Sequence, residues 1–474
     1  MGEPVLNIQG VNQMKRSSLG VFLVLMLLVS LSTAKEAPKD DLFNVQEHTL
    51  ENGMRLLMME DHSAPLITYQ IFYHVGSRNE RPGITGMAHQ FEHLMFLGSK
   101  KYGPTDYTDI IKSHGGVLNA GTWYDRTAYY EIISSDNLEL AIHMEAERQA
   151  NLKLEMEPFL NENLVIQEER RQRVDNSLFG QAREELMTNS FRAHPYNWPV
   201  IGWMSDIQNY RMEDLKWFYK TFYAPNNATI ILAGDFDPDE AIALVEKYHG
   251  PIPSQELPPD VVTVEPPQMG ERRVELRRPA QLPFLFASYH VPEATHPDMP
   301  AIELAANILS AGESSRIYNE CVYESQVARF AGGYVLGLKD LGLRDPGLFV
   351  TYIGVNSGKT MEEAEASLFS VIDKLAEEGP TERELQKVKN ILEADFYFGN
   401  QTVASKASTL GDFIIQFKGD YSKINTMVDE YRKVTVEDVQ RVVKKYMRPI
   451  NRTVLTVVPD NNADPVDFAA EGGE

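Results

Sequence analysis

Five consecutive residues, His89-Gln90-Phe91-Glu92-His93, hold the groups in this chain best suited to hydrolytic metal chemistry. The run 86–97 around them is otherwise mostly apolar and reads as a buried helix. On a helix His89 and His93 stand at i and i+4, so both imidazoles face one side and can reach one metal ion. Glu92, three residues after His89, falls on that same side, beside the ion rather than necessarily on it. Two imidazoles and a free carboxylate are what zinc hydrolysis requires. The metal acidifies a bound water and the carboxylate accepts its proton. The rival reading is a chance meeting on a core helix, and a chain with only 11 His in 474 residues makes that a rare coincidence.

A catalytic zinc needs a third protein ligand, usually distant in sequence. The segment 161–171 is a second helical stretch and contains Glu162, Glu168 and Glu169. Glu162 and Glu169 are seven apart, two turns along one face, while Glu168 points about a third of a turn away. One of the aligned pair as ligand and the other as its support is a reasonable division, and spacing does not choose between them. A solvated acidic face is the bland alternative for this helix.

The sequence resembles the pitrilysin and mitochondrial-processing-peptidase family of HxxEH zinc peptidases, the inverzincins. The motif is followed by Glu169, 76 residues after His93. Gly115-Gly116-Val117-Leu118-Asn119-Ala120-Gly121-Thr122 resembles the family's GGxxNAxT strand. His194-Pro195-Tyr196 with Pro199-Val200-Ile201-Gly202, and Tyr223-Ala224-Pro225-Asn226-Asn227-Ala228-Thr229 with Gly234-Asp235-Phe236-Asp237-Pro238, resemble two further stretches. Ser314-Ser315-Arg316-Ile317-Tyr318 resembles the SSRLF of the family's second half. The resemblance implies that His89, His93 and Glu169 hold one zinc ion and that Glu92 is the general base. It makes Glu162 the supporting carboxylate of the catalytic set. Asn119 and Ala120 then lie on an edge strand that pairs with the substrate backbone. Oligopeptides or unfolded segments would be cut inside a closed chamber, of which this chain forms half a clamshell.

The elements that must position these groups are legible only in outline. The stretches 54–59, 67–73, 117–120 and 128–133 read as strands, and 138–152 as a helix. Arg81-Pro82-Gly83 breaks the chain before the metal helix. Strands and helices do not alternate strictly, which favours an α+β fold: mostly antiparallel sheets flanked by helices. A length of 474 residues is too great for one ordinary core. Six prolines between His249 and Gly270 mark a semi-rigid linker, 251–270. It separates an N-terminal zinc-binding domain, 35–250, from a C-terminal domain, 271–460, and an acidic tail, 461–474.

The two domains look like a duplication. Glu213-Asp214-Leu215 with Pro225, Asn227 and Thr229 recurs as Glu437-Asp438-Val439 with Pro449, Asn451 and Thr453, each offset by 224. A rougher echo joins Tyr73-His74-Val75 to Tyr289-His290-Val291 and maps the metal helix near Ala305-Ala306-Asn307-Ile308-Leu309. No His or Glu stands there, so the second domain repeats the fold without the metal. Thr381 and Glu384 form a capping box for a helix through Asp395. The loop His194-Pro195-Tyr196 has no partner at ligand spacing and reads as a substrate-side or structural loop, while His74, His114 and His143 read as core or surface histidines rather than ligands.

Lys15-Arg16, the apolar run 19–31 and Ser32-Thr33-Ala34 make a signal peptide with a cut after Ala34. Translation starting at Met1 or at Met14 would both retain it. Export to a bacterial periplasm, or secretion, is the expected location; an uncleaved anchor is the alternative. Cys321 is the only cysteine, so no internal disulfide forms, and it reads as a small packed hydrophobe. The formal charge of −23 argues against nucleic acid and anionic membranes as partners.

Active single-chain relatives carry an Arg and a Tyr, seven residues apart, after the SSRLF stretch; the pair holds the substrate carbonyl. Counting from Ser314-Ser315-Arg316 reaches Val322 and Arg329 instead. Either Arg329 substitutes, or a second family subunit supplies the pair in a heterodimer, with a homodimer as the alternative assembly. A non-catalytic assembly subunit is the rival function. Such subunits have degraded zinc motifs, and here all four positions are intact.

Overall fold

The computed structural model describes residues 42–337 and 342–460. The expected signal segment with its cut at Ala34 and the acidic tail 461–474 lie outside the described residues. No helix among the described residues is long and apolar enough to cross a membrane.

Two sheets flanked by helices make up the fold, as the α+β expectation has it. The first contains β1 (Gln46–Thr49), β2 (Arg55–Glu60), β3 (Leu66–Tyr73), β4 (Val117–Thr122), β5 (Thr127–Ser134) and β6 (Ala228–Gly234), ordered β1-β2-β6-β3-β5-β4. The second contains β7 (Arg272–Arg278), β8 (Phe284–His290), β9 (Ala328–Leu336), β10 (Leu348–Val355) and β11 (Arg452–Pro459), ordered β7-β11-β8-β10-β9. Each sheet is antiparallel except for one parallel pair, β2 with β6 and β7 with β11. Apart from β1 the two orders are the same, so the second sheet repeats the first strand for strand.

The helices that shape the site and join the halves are α1 (Met87–Leu94), α2 (Met156–Arg170), α3 (Leu178–Ser190), α4 (Met212–Phe222), α5 (Met299–Ser310), α6 (Glu382–Gly399), α7 (Val403–Gln416) and α8 (Val436–Tyr446). α4 and α8 stand at the sequence offset of the repeated Glu-Asp motif, and each leads through a short Pro-Xaa-Asn turn into β6 or β11. The Thr381 capping box opens α6, which runs four residues past Asp395 to Gly399. α5 holds Ala305 to Leu309, the counterpart of the metal helix.

α3 and α7 cross between the halves. α3 precedes the proline-rich segment, yet its apolar stripe Ala182, Leu186 and Met187 shares a core with Leu276, Phe286, Val350 and Leu455 of the second sheet. Ser190 Oγ lies 2.8 Å from Ser288 Oγ, and Arg272 donates to the Asn189 carbonyl at 2.7 Å. α7 follows that segment, yet it packs on β3 and β6 of the first sheet. Gln70 donates to the Ala404 carbonyl at 3.0 Å and accepts from Ser408 at 3.1 Å. The stripe Ala407, Leu410, Gly411 and Ile414, at helical spacing, is buried there. No strand or helix forms between Tyr248 and Arg272. That segment is tied down by the Glu265 carboxylate, which accepts from the backbone N–H groups of Arg192, Ala193 and His194.

Cys321 is buried and unpaired, in a π-helical turn, and burial pushes its thiol up to about 11. It is a packing residue, as its surroundings in the sequence suggest.

Candidate metal centre

α1 begins where the Arg81-Pro82-Gly83 break ends. Its first N–H groups have no local side-chain cap; the Glu80 carboxylate does the work, accepting from Gly86 N at 2.7 Å and Ala88 N at 2.8 Å. The helix is shorter than the apolar run 86–97 suggests, ending at Leu94. Its core face is Met87, Ala88, Phe91 and Leu94. Phe91 stacks on Phe218 of α4 with ring centroids 5.5 Å apart, and its carbonyl accepts from the Tyr129 hydroxyl at 3.0 Å. These contacts fix the rotation of the helix. His89, Glu92 and His93 therefore share the other face, and all three line one cavity of about 570 Å³.

α2 supplies the carboxylates. His89 Nε2 lies 3.7 Å from Glu169 Oε1, and His93 Nε2 lies 3.4 Å from Glu169 Oε2. One ligand atom from each of His89, His93 and Glu169 falls within 4.8 Å of the others, the only such metal-capable group among the described residues. Two nitrogens and a carboxylate oxygen at these separations fit a tetrahedral cation with bonds of roughly 2.0–2.2 Å, leaving one position open. Glu162 does not join the triple. Its Oε1 accepts from His93 Nδ1 at 2.7 Å, which leaves Nε2 as the nitrogen turned to the site. Glu168 is 56% exposed and bonds Arg171 instead. The geometry thus separates Glu162 from Glu169, the pair that spacing alone left open.

The two helices are held in register by buried amides. Asn163 donates to Gln90 Oε1 at 3.1 Å and to the Ile207 carbonyl at 2.9 Å, while Gln167 donates to Asn163 Oδ1 at 2.7 Å. A slip of either helix would leave these groups unsatisfied in a dry interface. Nothing in the spacing of the sequence marked Gln90 or Asn163 for this role.

Electrostatics agree with a cation site. Burial lowers the His89 imidazole to about 4 and so keeps it neutral, as a ligand must be. Burial opposes the charged form of His93 too, but Glu162 and Glu169 outweigh it and lift the ring to about 9. A proton on His93 balances carboxylates that a cation would otherwise neutralise. The Glu169 carboxyl is lowered, chiefly by its hydrogen bond to His93. Burial raises the Glu92 carboxyl above its usual range.

β4 is an edge strand bonded only to β5, and Asn119 and Ala120 line the cavity beside the histidines. Its unpaired outer edge can add an extended peptide. His194 is not part of the cavity wall. It is buried, caps the following turn through Tyr196 N–H, and lies 3.3 Å from Asp345. His74, His114 and His143 bond Thr229, the Ile110 carbonyl and Tyr102 respectively, away from the metal group. Val322 sits in the turn after Ser314-Ser315-Arg316, and Arg329 is exposed on β9. Both arginines of the cavity wall, Arg173 and Arg183, escaped the sequence analysis. The cluster Arg170-Arg171-Gln172-Arg173 directly after Glu169 was a signal for the first; the second left none.

Residues 55–202 match the family profile described as Insulinase (Peptidase family M16), and residues 209–392 match Peptidase M16 inactive domain. The zinc protease PqqE of Helicobacter pylori is 29% identical over 438 residues, covering 92% of this chain and 97% of the relative. The crystal structure of a protease from Helicobacter pylori aligns with TM-score 0.83 at 29% identity, covering 88% of this chain and 99% of that one. Pitrilysin has the same fold at TM-score 0.71 and 19% identity, with 91% of this chain covering 46% of pitrilysin.

Proposed function

The chain belongs to the M16 peptidase family, and from that premise we propose that it is a zinc metalloendopeptidase cutting oligopeptides or unfolded segments inside a closed chamber. The observation that carries this is the convergence of His89, His93 and Glu169, with Glu92 beside them and a free strand edge on the same cavity. In this reading the three residues hold one zinc ion, which supplies Lewis acidity and a water of lowered pKa. Asn119 and Ala120 hold the substrate as an added strand, which sets its scissile carbonyl against the cavity floor. Glu92 takes the proton of the attacking water and later passes it to the leaving amine. Glu162 orients the His93 ring through Nδ1.

Glu92→Gln keeps the ligands and removes the proton acceptor. It is expected to retain about one zinc per chain while peptidase activity falls roughly a hundredfold or more. Near wild-type hydrolysis by that variant would remove Glu92 from the mechanism.

The mature chain starts after Ala34 and works in a bacterial periplasm or outside the cell, with no lasting membrane insertion and no nucleic-acid partner. We divide it into domains 35–250 and 271–460 joined by 251–270. Val322 and Arg329 stand where active single-chain relatives carry the carbonyl-holding Arg and Tyr, and this favours a second family subunit that supplies the pair. The purified chain alone should then bind zinc but cleave peptides poorly, and adding a subunit with that Arg and Tyr should restore cleavage. Full activity from a homogeneous preparation of this chain would end the heterodimer idea and favour a monomer or homodimer. The second reading, a non-catalytic assembly subunit, draws on the match of 209–392 to a profile described as inactive. That stretch excludes His89, Glu92, His93 and Glu169.

A further inference from the structure

The cavity that holds the metal-capable triple also holds two arginines, Arg173 and Arg183, on the wall beyond the end of β4. Arg183 lies on α3, and its guanidinium sits over the Trp123 ring at 4.9 Å from the centroid. Trp123 directly follows β4, so a peptide added along that strand runs toward this stack. Arg183 is exposed, and no carboxylate among the described residues is within ion-pair distance of it. Its neighbour Glu184 is already taken by a bidentate bond from Arg170, at 2.8 and 3.1 Å.

Arg173 is placed beside it by backbone packing. A Cβ on Gly180 would stand 2.2 Å from the Arg173 carbonyl oxygen, so only glycine lets α3 approach there. One turn further along α3 is Arg183. Arg173 gives one nitrogen to Glu169 Oε1 at 2.9 Å and remains 73% exposed, so part of its five-donor fork faces the cavity. The Trp123 ring beneath the guanidinium and the Tyr124 hydroxyl bonded to it restrict the Arg183 fork, which suits a planar carboxylate better than a freely rotating lysine would.

We propose that Arg183, on its Trp123 shelf and assisted by Arg173, is a carboxylate-recognising subsite that selects peptides with an anionic group near the scissile bond. The proposal deepens the peptidase reading and rests on it for the nature of the ligand. A peptide offers that carboxylate in two ways, as an Asp or Glu side chain or as its own C-terminus.

The test uses the zinc-loaded full chain carrying Glu92→Gln and measures fluorescence anisotropy of labelled peptides. Four peptides share one sequence: internal Glu or Gln, each with a free or an amidated C-terminus. The expected result is about tenfold tighter binding of a carboxylate-bearing peptide than of the doubly neutral one, as charge-assisted hydrogen bonds give. The single-carboxylate peptides tell which source is read. Adding Arg183→Gln should collapse the ratio toward one, and Arg183→Lys should keep part of it. Equal affinity for all four peptides, no binding of any, or an undiminished ratio in Arg183→Gln would overturn the proposal. Hydrolysis of the doubly neutral peptide by the wild-type chain, with its family subunit if one is needed, is measured in parallel. Discrimination without hydrolysis would count against the peptidase reading and leave the subsite standing; hydrolysis without discrimination would remove the subsite alone.

Discussion

At the scale of single residues, the centre is a division of labour among carboxylates that differ mainly in where their helix points them. Glu169 faces both His89 and His93, Glu162 faces only the outer nitrogen of His93, and Glu168 faces solvent. Glu169→Gln is therefore expected to lose zinc, and Glu168→Gln to keep it. Glu162→Gln should keep zinc and lose roughly ten- to a hundredfold of its activity, because the His93 ring loses its orienting acceptor. Metal content and turnover of the three purified variants check this, and zinc loss confined to the Glu168 variant would reverse the assignment. His89, Glu92 and His93 were legible in the sequence because their spacing is a local property of one helix. Choosing among the glutamates was not, since a helix wheel shows which side chains share a face and not what that face meets.

At the scale of elements, the site depends on how α1, α2 and β4 are held. The amide bonds of Asn163 and Gln90 fix the two ligand helices, while α7 buttresses the sheet behind them from the other half of the sequence. α7 lies so close that a Cβ on Gly411 would stand 2.1 Å from Phe72 Cζ. Gly411→Val should then lower stability by about 1–3 kcal/mol through overpacking, or more if the ring cannot turn. The matched control is Gly399→Ala, where a Cβ meets nothing within 4 Å and a gain of up to about 1 kcal/mol is expected from helix propensity. Denaturant midpoints of both variants decide it; an unaffected Gly411→Val would mean that α7 does not seat on β3 as described. Element types were readable from periodicity and from turn residues such as Arg81-Pro82-Gly83. The early end of α1 at Leu94 was not, because an apolar run tells burial and does not tell where the backbone stops being helical.

At the scale of the whole molecule, the exchange of α3 and α7 makes each half a part of the other's core. A fragment ending in the proline-rich segment would expose Ala182, Leu186 and Met187 and would leave its own sheet without α7. Fragments 35–260 and 261–460 are expected to aggregate when made separately and to form a soluble one-to-one complex that binds zinc when made together. Size-exclusion chromatography with metal analysis reads this directly. A stable, monomeric, zinc-binding 35–260 fragment would show that the exchanged helices contribute little to the first half.

The sequence by itself determined the α+β class, the duplicated plan and the spacing that sets His89, Glu92 and His93 on one helix face. Each rests on short-range regularities: a four-residue step on one helix, runs of strand and helix period, and a motif repeated at a constant offset. Tertiary structure alone decided which helix covers which sheet, which glutamate meets both histidines, and that Arg183 lies over Trp123 with no carboxylate at ion-pair distance among the described residues. These depend on residues brought together across tens to hundreds of positions, where packing and the satisfaction of buried polar groups choose among arrangements that local patterns leave equivalent.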